Sequence, residues 1–338
     1  MIKKDIIFDI KIKKINEIKY KSEEILAVSI FNSGNIIISS MNSGFTIWDT
    51  KFNLIYKKKI KKYSITSICI IDQGTFYTGS DKGKLHLWEE KKEFNEIVFE
   101  KIKINIGVCK DQLIHNESIQ KILFSNNNLY TCSLDGYIKI IKKEKEYTII
   151  KSLSIKNKKC DSNLRIYTII FDDDFQLLIS SGEKGTYLWG KKDFKNHKKI
   201  CDIEASENGL QIFEKKDDLI KFICGYKEII IFSVDKNENI NIEYKTNNLD
   251  YECYCICVTN INNKIIYITG EHIDNEDEEN HKIRFYHKNQ DNEFLKVFPY
   301  AHEKRINGLL MYCDSLMSFS KDGKLIVWNI CEEFFESK

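Results

Sequence analysis

The sequence predicts an all-β chain folded as a single seven-bladed β-propeller of four-stranded antiparallel blades, and three observations carry that prediction. A short alternating strand that closes on tryptophan, or on an apolar residue in its place, recurs seven times. A second small apolar strand begins at a nearly constant distance upstream of six of the seven. The last unit ends without room for an outer strand, and the alternating N-terminal segment Ile6-Ile-Phe-Asp-Ile-Lys-Ile12 can supply it.

The anchors come first. Gly44-Phe-Thr-Ile-Trp48, Gly83-Lys-Leu-His-Leu-Trp88, Gly185-Thr-Tyr-Leu-Trp189 and Gly323-Lys-Leu-Ile-Val-Trp328 each follow a turn. The same strand without tryptophan appears as Gly136-Tyr-Ile-Lys-Ile-Ile141, Lys227-Glu-Ile-Ile-Ile-Phe232 and Lys282-Ile-Arg-Phe-Tyr286. Third strands therefore end near 48, 88, 141, 189, 232, 286 and 328, at spacings of 40, 53, 48, 43, 54 and 42 residues. The short spacings suit a four-stranded repeat of about 40–45 residues, and the long ones require loop insertions. First strands begin 22 or 23 residues before the anchor, at Ile25, Ile65, Ile119, Ile166, Leu210 and Ile306. The sixth unit begins near Cys253, displaced by an inserted acidic loop, Glu271 to Glu279. Pairing the N-terminal strand with the last blade removes the open edges of the ring. On this reading residues 1–338 form one domain.

Composition narrows the function. The 52 Lys and Arg nearly balance the 50 Asp and Glu, so no global field draws the chain to nucleic acid or an anionic membrane. Charges interrupt the N-terminal apolar residues, which excludes a secretory signal, and no window of 18 apolar residues exists. The eleven cysteines form an odd set without Cys-x-x-Cys spacing, which points to a reducing compartment: the cytoplasm, or the nucleus. Abundant Lys, Ile and Asn with a single proline, Pro299, indicate a compositional bias that lowers the meaning of any one lysine run.

At this point the chain resembles the WD40-repeat family over nearly its full length, with divergent repeats. The last unit carries the resemblance best, in Ala301-His302 and Leu316-Met-Ser318-Phe-Ser-Lys-Asp322-Gly-Lys-Leu-Ile-Val-Trp328. The resemblance implies that His302, Ser318, Asp322 and Trp328 form a buried hydrogen-bonded tetrad that stiffens the blade. The third unit keeps His115, Thr131 and Asp135, with Ile141 in place of tryptophan. Asn42, Lys82 and Glu183 stand at the turn position of units one, two and four, and units five and six are recognisable by register alone. The Trp-Asp pair itself survives once, at Trp48-Asp49.

No constellation supports catalysis. The His–Asp pairs follow from propeller register, and no Ser or Cys completes a nucleophilic triad. Cys253, Cys255 and Cys257 alternate along a strand and so fall on one side of it, as small residues filling a blade interface. A metal would need about four converging ligands, and no metal or other cofactor is assigned. The acidic loop lacks the glycine and ligand spacing of a calcium loop and reads as a solvated insertion. The runs Lys57–Lys62 and Lys156–Lys159 read as solvated edges; the alternative is nucleic-acid or phosphoinositide binding, although no Arg-Arg pair of the phosphoinositide-binding propellers occurs.

The resemblance also implies a partner-binding face at the narrow mouth of the central channel, lined by residues flanking the first apolar position of each inner strand. These are Glu24, Leu26, Ser64, Thr66, Ser118 and Gln120 in the first three units, then Arg165, Tyr167, Glu252, Tyr254, Arg305 and Asn307. Arg165, Tyr167, Tyr254 and Arg305 are the expected anchors, because interface hot spots favour Tyr and Arg. The expected function is a non-catalytic protein–protein interaction scaffold, a subunit of a larger intracellular complex, with no membrane span and no small-molecule substrate. Alternatives by resemblance are a substrate receptor of a cullin-type ubiquitin ligase, from Trp48-Asp49-Thr50-Lys51 after Ile37-Ile-Ser-Ser40, and an iron–sulfur assembly propeller.

Overall fold

Strands of five to seven residues cannot persist alone in water, so alternation along each repeat is satisfied by edge-to-edge pairing into four-stranded sheets. A computed structural model describes residues 6–336, apart from 21–22, 94–95, 105, 107–111, 145, 157–161, 191–193, 195, 207, 247–248, 250, 262–263, 273–280, 288–293 and 313. After a closing strand β1 (Ile6–Lys19), blade 1 comprises β2 (Ile25–Ile30), β3 (Ile36–Ser40), β4 (Gly44–Trp48) and β5 (Leu54–Lys58). Blade 2 comprises β6 (Ile65–Ile70), β7 (Thr75–Ser80), β8 (Leu85–Glu93) and β9 (Glu96–Ile102). Blade 3 runs through β10 (Ile119–Ser125), β11 (Asn128–Ser133), β12 (Tyr137–Lys143) and β13 (Tyr147–Ser154). Blade 4 runs through β14 (Ile166–Asp172), β15 (Leu177–Gly182), β16 (Gly185–Trp189) and β17 (His197–Cys201). Blade 5 is β18 (Leu210–Lys216), β19 (Leu219–Gly225), β20 (Ile229–Asp235) and β21 (Ile240–Lys245). Blade 6 is β22 (Glu252–Ile261), β23 (Lys264–His272), β24 (His281–His287) and β25 (Phe294–His302). Blade 7 contains β26 (Ile306–Tyr312), β27 (Ser315–Ser320) and β28 (Lys324–Glu336), with β1 as its outer strand.

Every sheet is antiparallel and ordered along the chain, except that β1 closes the ring on β28, from Ile6 opposite Glu336 to Lys19 opposite Lys324. Blades five and six, faint in the sequence, are complete. Burial follows position in the blade: β3 and β15 are buried at every residue because neighbouring blades cover both faces, whereas β5 alternates between half-buried and exposed. The core is a set of apolar wedges between successive blades, such as Ile25, Ile36 and Ile38 of blade 1 against Met317, Phe319 and Val327 of blade 7. Among the described residues no helix is long and apolar enough to cross a membrane.

One irregularity positions the site. In six blades the inner strand bulges at its start, after the first residue in five and after the second in blade 6, between Ile25/Ala27, Ile65/Ser67, Ile119/Lys121, Ile166/Thr168, Cys253/Cys255 and Ile306/Gly308. A bulge leaves one residue outside the ladder and re-aims its side chain. The residues so released are Leu26, Thr66, Gln120, Tyr167, Tyr254 and Asn307. The same bulge corrects the placement of the cysteines. Alternation fails between Cys253 and Cys255, so Cys253 packs with Ile229, Tyr251 and Tyr267 toward blade 5, while Cys255 and Cys257 pack with Ile306 and Leu309 toward blade 7.

Candidate docking site at the channel mouth

The two histidine chains are built into the blades. In blade 7, Trp328 Nε1–H donates to Ser318 Oγ at 2.8 Å, Ser318 meets His302 Nε2 at 2.7 Å, and His302 Nδ1 meets Asp322 Oδ2 at 3.0 Å. Asp322 also accepts the backbone N–H of Glu303 and of Lys324. Burial pushes the Asp322 carboxyl up, but the His302 imidazole and these two amides outweigh it and hold it below the usual range. In blade 3, His115 sits 2.9 Å from both Thr131 Oγ1 and Asp135 Oδ2, and burial holds its imidazole below the ordinary histidine value. Both ring nitrogens of each histidine are thus consumed inside the blade, which leaves neither free for proton transfer to a substrate. The tryptophan bond reaches further than the sequence indicated: Trp88 donates to Thr78 at 3.0 Å and Trp189 to Ser180 at 2.9 Å, with no histidine bonded to either hydroxyl.

At the mouth of the channel lies a cavity of about 310 Å³. Gln120, Arg165, Tyr167, Tyr254, Arg305 and Asn307 of the expected face line it. The Arg305 guanidinium stacks over the Tyr254 ring at 4.4 Å, and its Nε–H donates to Asn307 Oδ1 at 3.2 Å. Asn307 Nδ2–H donates to Glu24 Oε1 and to the Ile25 carbonyl, tying blade 7 to blade 1 across the closure. Arg165 is more than half exposed, with Glu183 Oε1 3.9 Å from its Nε. Burial first, then the Glu183 and Glu204 carboxylates, raises the Tyr167 phenol, so it stays a hydroxyl donor at neutral pH.

The cavity lining and the expected face do not coincide throughout. Glu252 is buried, 3.3 Å from Lys227, and is not among the residues that line the cavity. Leu134, Glu204, Ser206 and Tyr226 complete the lining, from turns and linkers that the flanking rule does not cover. Tyr226 packs edge-on against Tyr254 at 5.7 Å, and Ser206 donates to the Tyr254 carbonyl. The turns between second and third strands, at Leu134 and Tyr226, open on the same side as the first residues of the inner strands, and that was the usable signal. One guanidinium stacked on an aromatic face and a second, more exposed one, with hydroxyl and amide donors around them, can clamp a side chain inserted from a partner.

Other sequence candidates resolve differently. Glu271, expected in a solvated acidic loop, ends a buried strand, where it takes a two-point ion pair from Arg284 at 2.9 and 3.2 Å; residues 273–280 lie outside the described residues. Of the second lysine run, Lys156 is exposed and 157–159 lie outside the described residues. Among the described residues no group of three or more His, Cys, Asp and Glu is placed to hold a metal ion.

No family model matches the chain. It is 24% identical over 230 residues to the non-catalytic subunit wdr4 of tRNA (guanine-N(7)-)-methyltransferase from Dictyostelium discoideum, a match covering 64% of this chain and 45% of that protein. The chain thus spans about half the length of that relative. Its fold superposes with a TM-score of 0.68 on a chain of the mitotic checkpoint complex, at 10% identity and 94% coverage of both chains. The β-propeller domain of Myceliophteria thermophila Cps50 (Swd1) gives a TM-score of 0.67 at 9% identity, covering 95% of this chain and all of that one. With seven closed blades, the histidine chain of blade 7 and these likenesses together, this chain is a seven-bladed β-propeller of the WD40 type.

Proposed function

We propose that the chain is the non-catalytic subunit of a two-part enzyme, holding a catalytic partner at the channel mouth, and that the partner is a tRNA guanine-N7 methyltransferase. The observation that carries this reading is the similarity to a subunit with that role over 230 residues of sequence, beyond likeness of fold. The internal use of both histidine chains fits a subunit without chemistry of its own. Arg165, Tyr167, Tyr254 and Arg305 supply the anchors, and Glu24 and Glu183 orient the two guanidinium groups. The free thiols of Cys69, Cys132, Cys201, Cys224, Cys253, Cys255 and Cys257 support placement in the cytoplasm or nucleus.

The test is affinity purification of the tagged chain from its own cells, beside the double variant Arg165→Glu, Arg305→Glu. A methyltransferase should co-purify with the wild-type chain and be lost from the variant, and depletion of the chain should lower 7-methylguanosine in tRNA. Unchanged tRNA methylation on depletion rejects the enzyme assignment. A partner retained by the variant rejects the channel mouth as its seat.

A further inference from the structure

The run Lys57–Lys62, read from sequence as a solvated edge, gains neighbours that sequence distance conceals. It spans the end of β5 and the linker into blade 2, and β5 lies against β9. Lys58 Nζ stands 6.0 Å from the Trp88 ring of blade 2, and Lys101, at the end of β9, stands 6.0 Å from the Tyr63 ring that follows the run. Tyr63 in turn stacks on His86 at 4.8 Å. Blade 2 thus adds Lys84, Lys101 and Lys103 to Lys59, Lys61 and Lys62 along one rim of blades 1 and 2.

Among the described residues none of these six lysines has a carboxylate within ion-pairing range. That is unusual on a chain whose charges balance overall and whose other lysines commonly pair, as Lys91 does with Glu100 and Lys221 with Glu243. Lys101 feels the strain: burial and the adjacent Lys84 ammonium both push it below the ordinary lysine value. Beneath Tyr63, the buried His86 has no hydrogen-bond partner on either ring nitrogen, and burial followed by Lys101 and Lys84 depresses it to about 3. Among the described residues no carboxylate pairs with this cluster; an external polyanion would neutralise it.

We propose that the lysine rim of blades 1 and 2 binds the phosphate backbone of a nucleic acid. The choice over an anionic bilayer rests on the apolar residues of the segment. Ile60 and Tyr63 turn inward onto the wedge between blades 1 and 2, leaving ammonium groups outward without a cluster of exposed apolar anchors. Leu113, bridged to Lys84, and Met41, in the turn whose Asn42 and Ser43 bond Ser64 and Ile60, are exposed apolar neighbours, and two isolated aliphatic side chains add little to the hold that peripheral membrane proteins draw from apolar insertion. The site is separate from the channel mouth and does not rest on the methyltransferase reading.

The experiment is a binding titration of the purified chain with total tRNA at several salt concentrations, with sedimentation on phosphatidylserine vesicles in parallel. Each phosphate contact contributes about 0.7–0.9 to the slope of log K against log salt, so six lysines give a slope near about −4 to −5. The variant Lys59→Gln, Lys61→Gln, Lys101→Gln should lose about 2–3 of that slope and at least about tenfold in affinity at 0.1 M salt. The matching Lys→Arg variant should bind as wild type, and a control changing Lys13, Lys198 and Lys245 to Gln should lose little. A flat salt dependence for the wild-type chain overturns the proposal without recourse to any variant. So does equal loss in the control, or vesicle binding that exceeds tRNA binding at the same salt.

Discussion

Replacing Ser318 by alanine removes one hydroxyl and strands two buried groups. Trp328 Nε1–H loses its acceptor, and His302 Nε2, whose other ring nitrogen is committed to Asp322, loses its donor. Serine and alanine differ little in volume, so the cost is that of unsatisfied polar groups, about 1–3 kcal/mol for each. Two such groups give about 3–4 kcal/mol as a central value. At about 2.1 cal/mol/K per residue, unfolding 338 residues carries an entropy of about 0.7 kcal/mol/K, so Tm should fall by about 4–6 °C. Two internal references calibrate the result. Ser180→Ala strands the Trp189 indole alone, and Thr131→Val strands His115 Nε2 alone, because Ile141 has no N–H to offer. Each should cost about 1–3 kcal/mol, or about 1–4 °C. Calorimetry of the three variants and of Ser318→Ala combined with Trp328→Phe checks the scheme. The double variant should show a coupling of at least about 0.5 kcal/mol. If Ser318→Ala costs no more than Ser180→Ala, the hydrogen-bonded chain contributes nothing beyond the tryptophan bond, and the reasoning fails.

Removing residues 1–19 should prevent a stable monomer, because it leaves β28 as an open edge and uncovers Ile18 in the wedge between blades 7 and 1; a monodisperse, cooperatively melting truncated chain would contradict that role. Acid should destabilise the chain from about pH 6.5 downward, where ordinary histidines begin to charge. His86 and His115 are both depressed in the folded chain, so the unfolded chain takes up their protons first and stability is lost as pH falls toward the folded values. The limiting slope is about 1.4 kcal/mol per pH unit for each histidine. His86→Phe keeps a ring on Tyr63 and should remove the His86 share between pH 6.5 and 4.5, and urea titrations that show an unchanged slope would refute the assignment.

The blade register was legible because alternation and burial dictate it. Ile25, Ile65, Ile119, Ile166, Leu210 and Ile306 each begin an inner strand, since each must enter a wedge between blades. The channel mouth was half legible. Flanking positions identified Arg165, Tyr167, Tyr254, Arg305 and Asn307, yet the bulge that turns Tyr167, Tyr254 and Asn307 out of the ladder leaves no mark in composition. The same blind spot put Cys253 on the wrong side of its strand. Glu252 flanks its strand as the others do but does not line the cavity, and sequence position does not reveal its pairing with Lys227. The lysine rim was illegible for a different reason: Lys62 and Lys101 are 39 positions apart, and only packing of β5 against β9 brings their neighbourhoods together.

Decay of the repeat signature does not mean decay of the device it encodes. The physical requirement is that each buried polar group near the end of the third strand finds a partner, and several side-chain sets meet it. In blade 1, Tyr20 bonds Thr46, and Trp48 donates to both, with no histidine involved. In blade 6, Tyr286 holds the tryptophan position, stacks on Tyr267 at 5.1 Å and bonds the Tyr251 hydroxyl, which also meets Thr269 and lies beneath Arg284. Tyr251 therefore does in blade 6 what His302 does in blade 7, from just before the inner strand. Tyr251→Phe keeps the ring under Arg284 and removes only the hydroxyl, leaving Tyr286 without that partner. It should cost about 1–3 kcal/mol, about 1–4 °C in Tm, in the range set by Thr131→Val. A change below about 0.5 kcal/mol would mean that blade 6 stands on apolar packing alone and that its tyrosines are no substitute for the lost histidine chain.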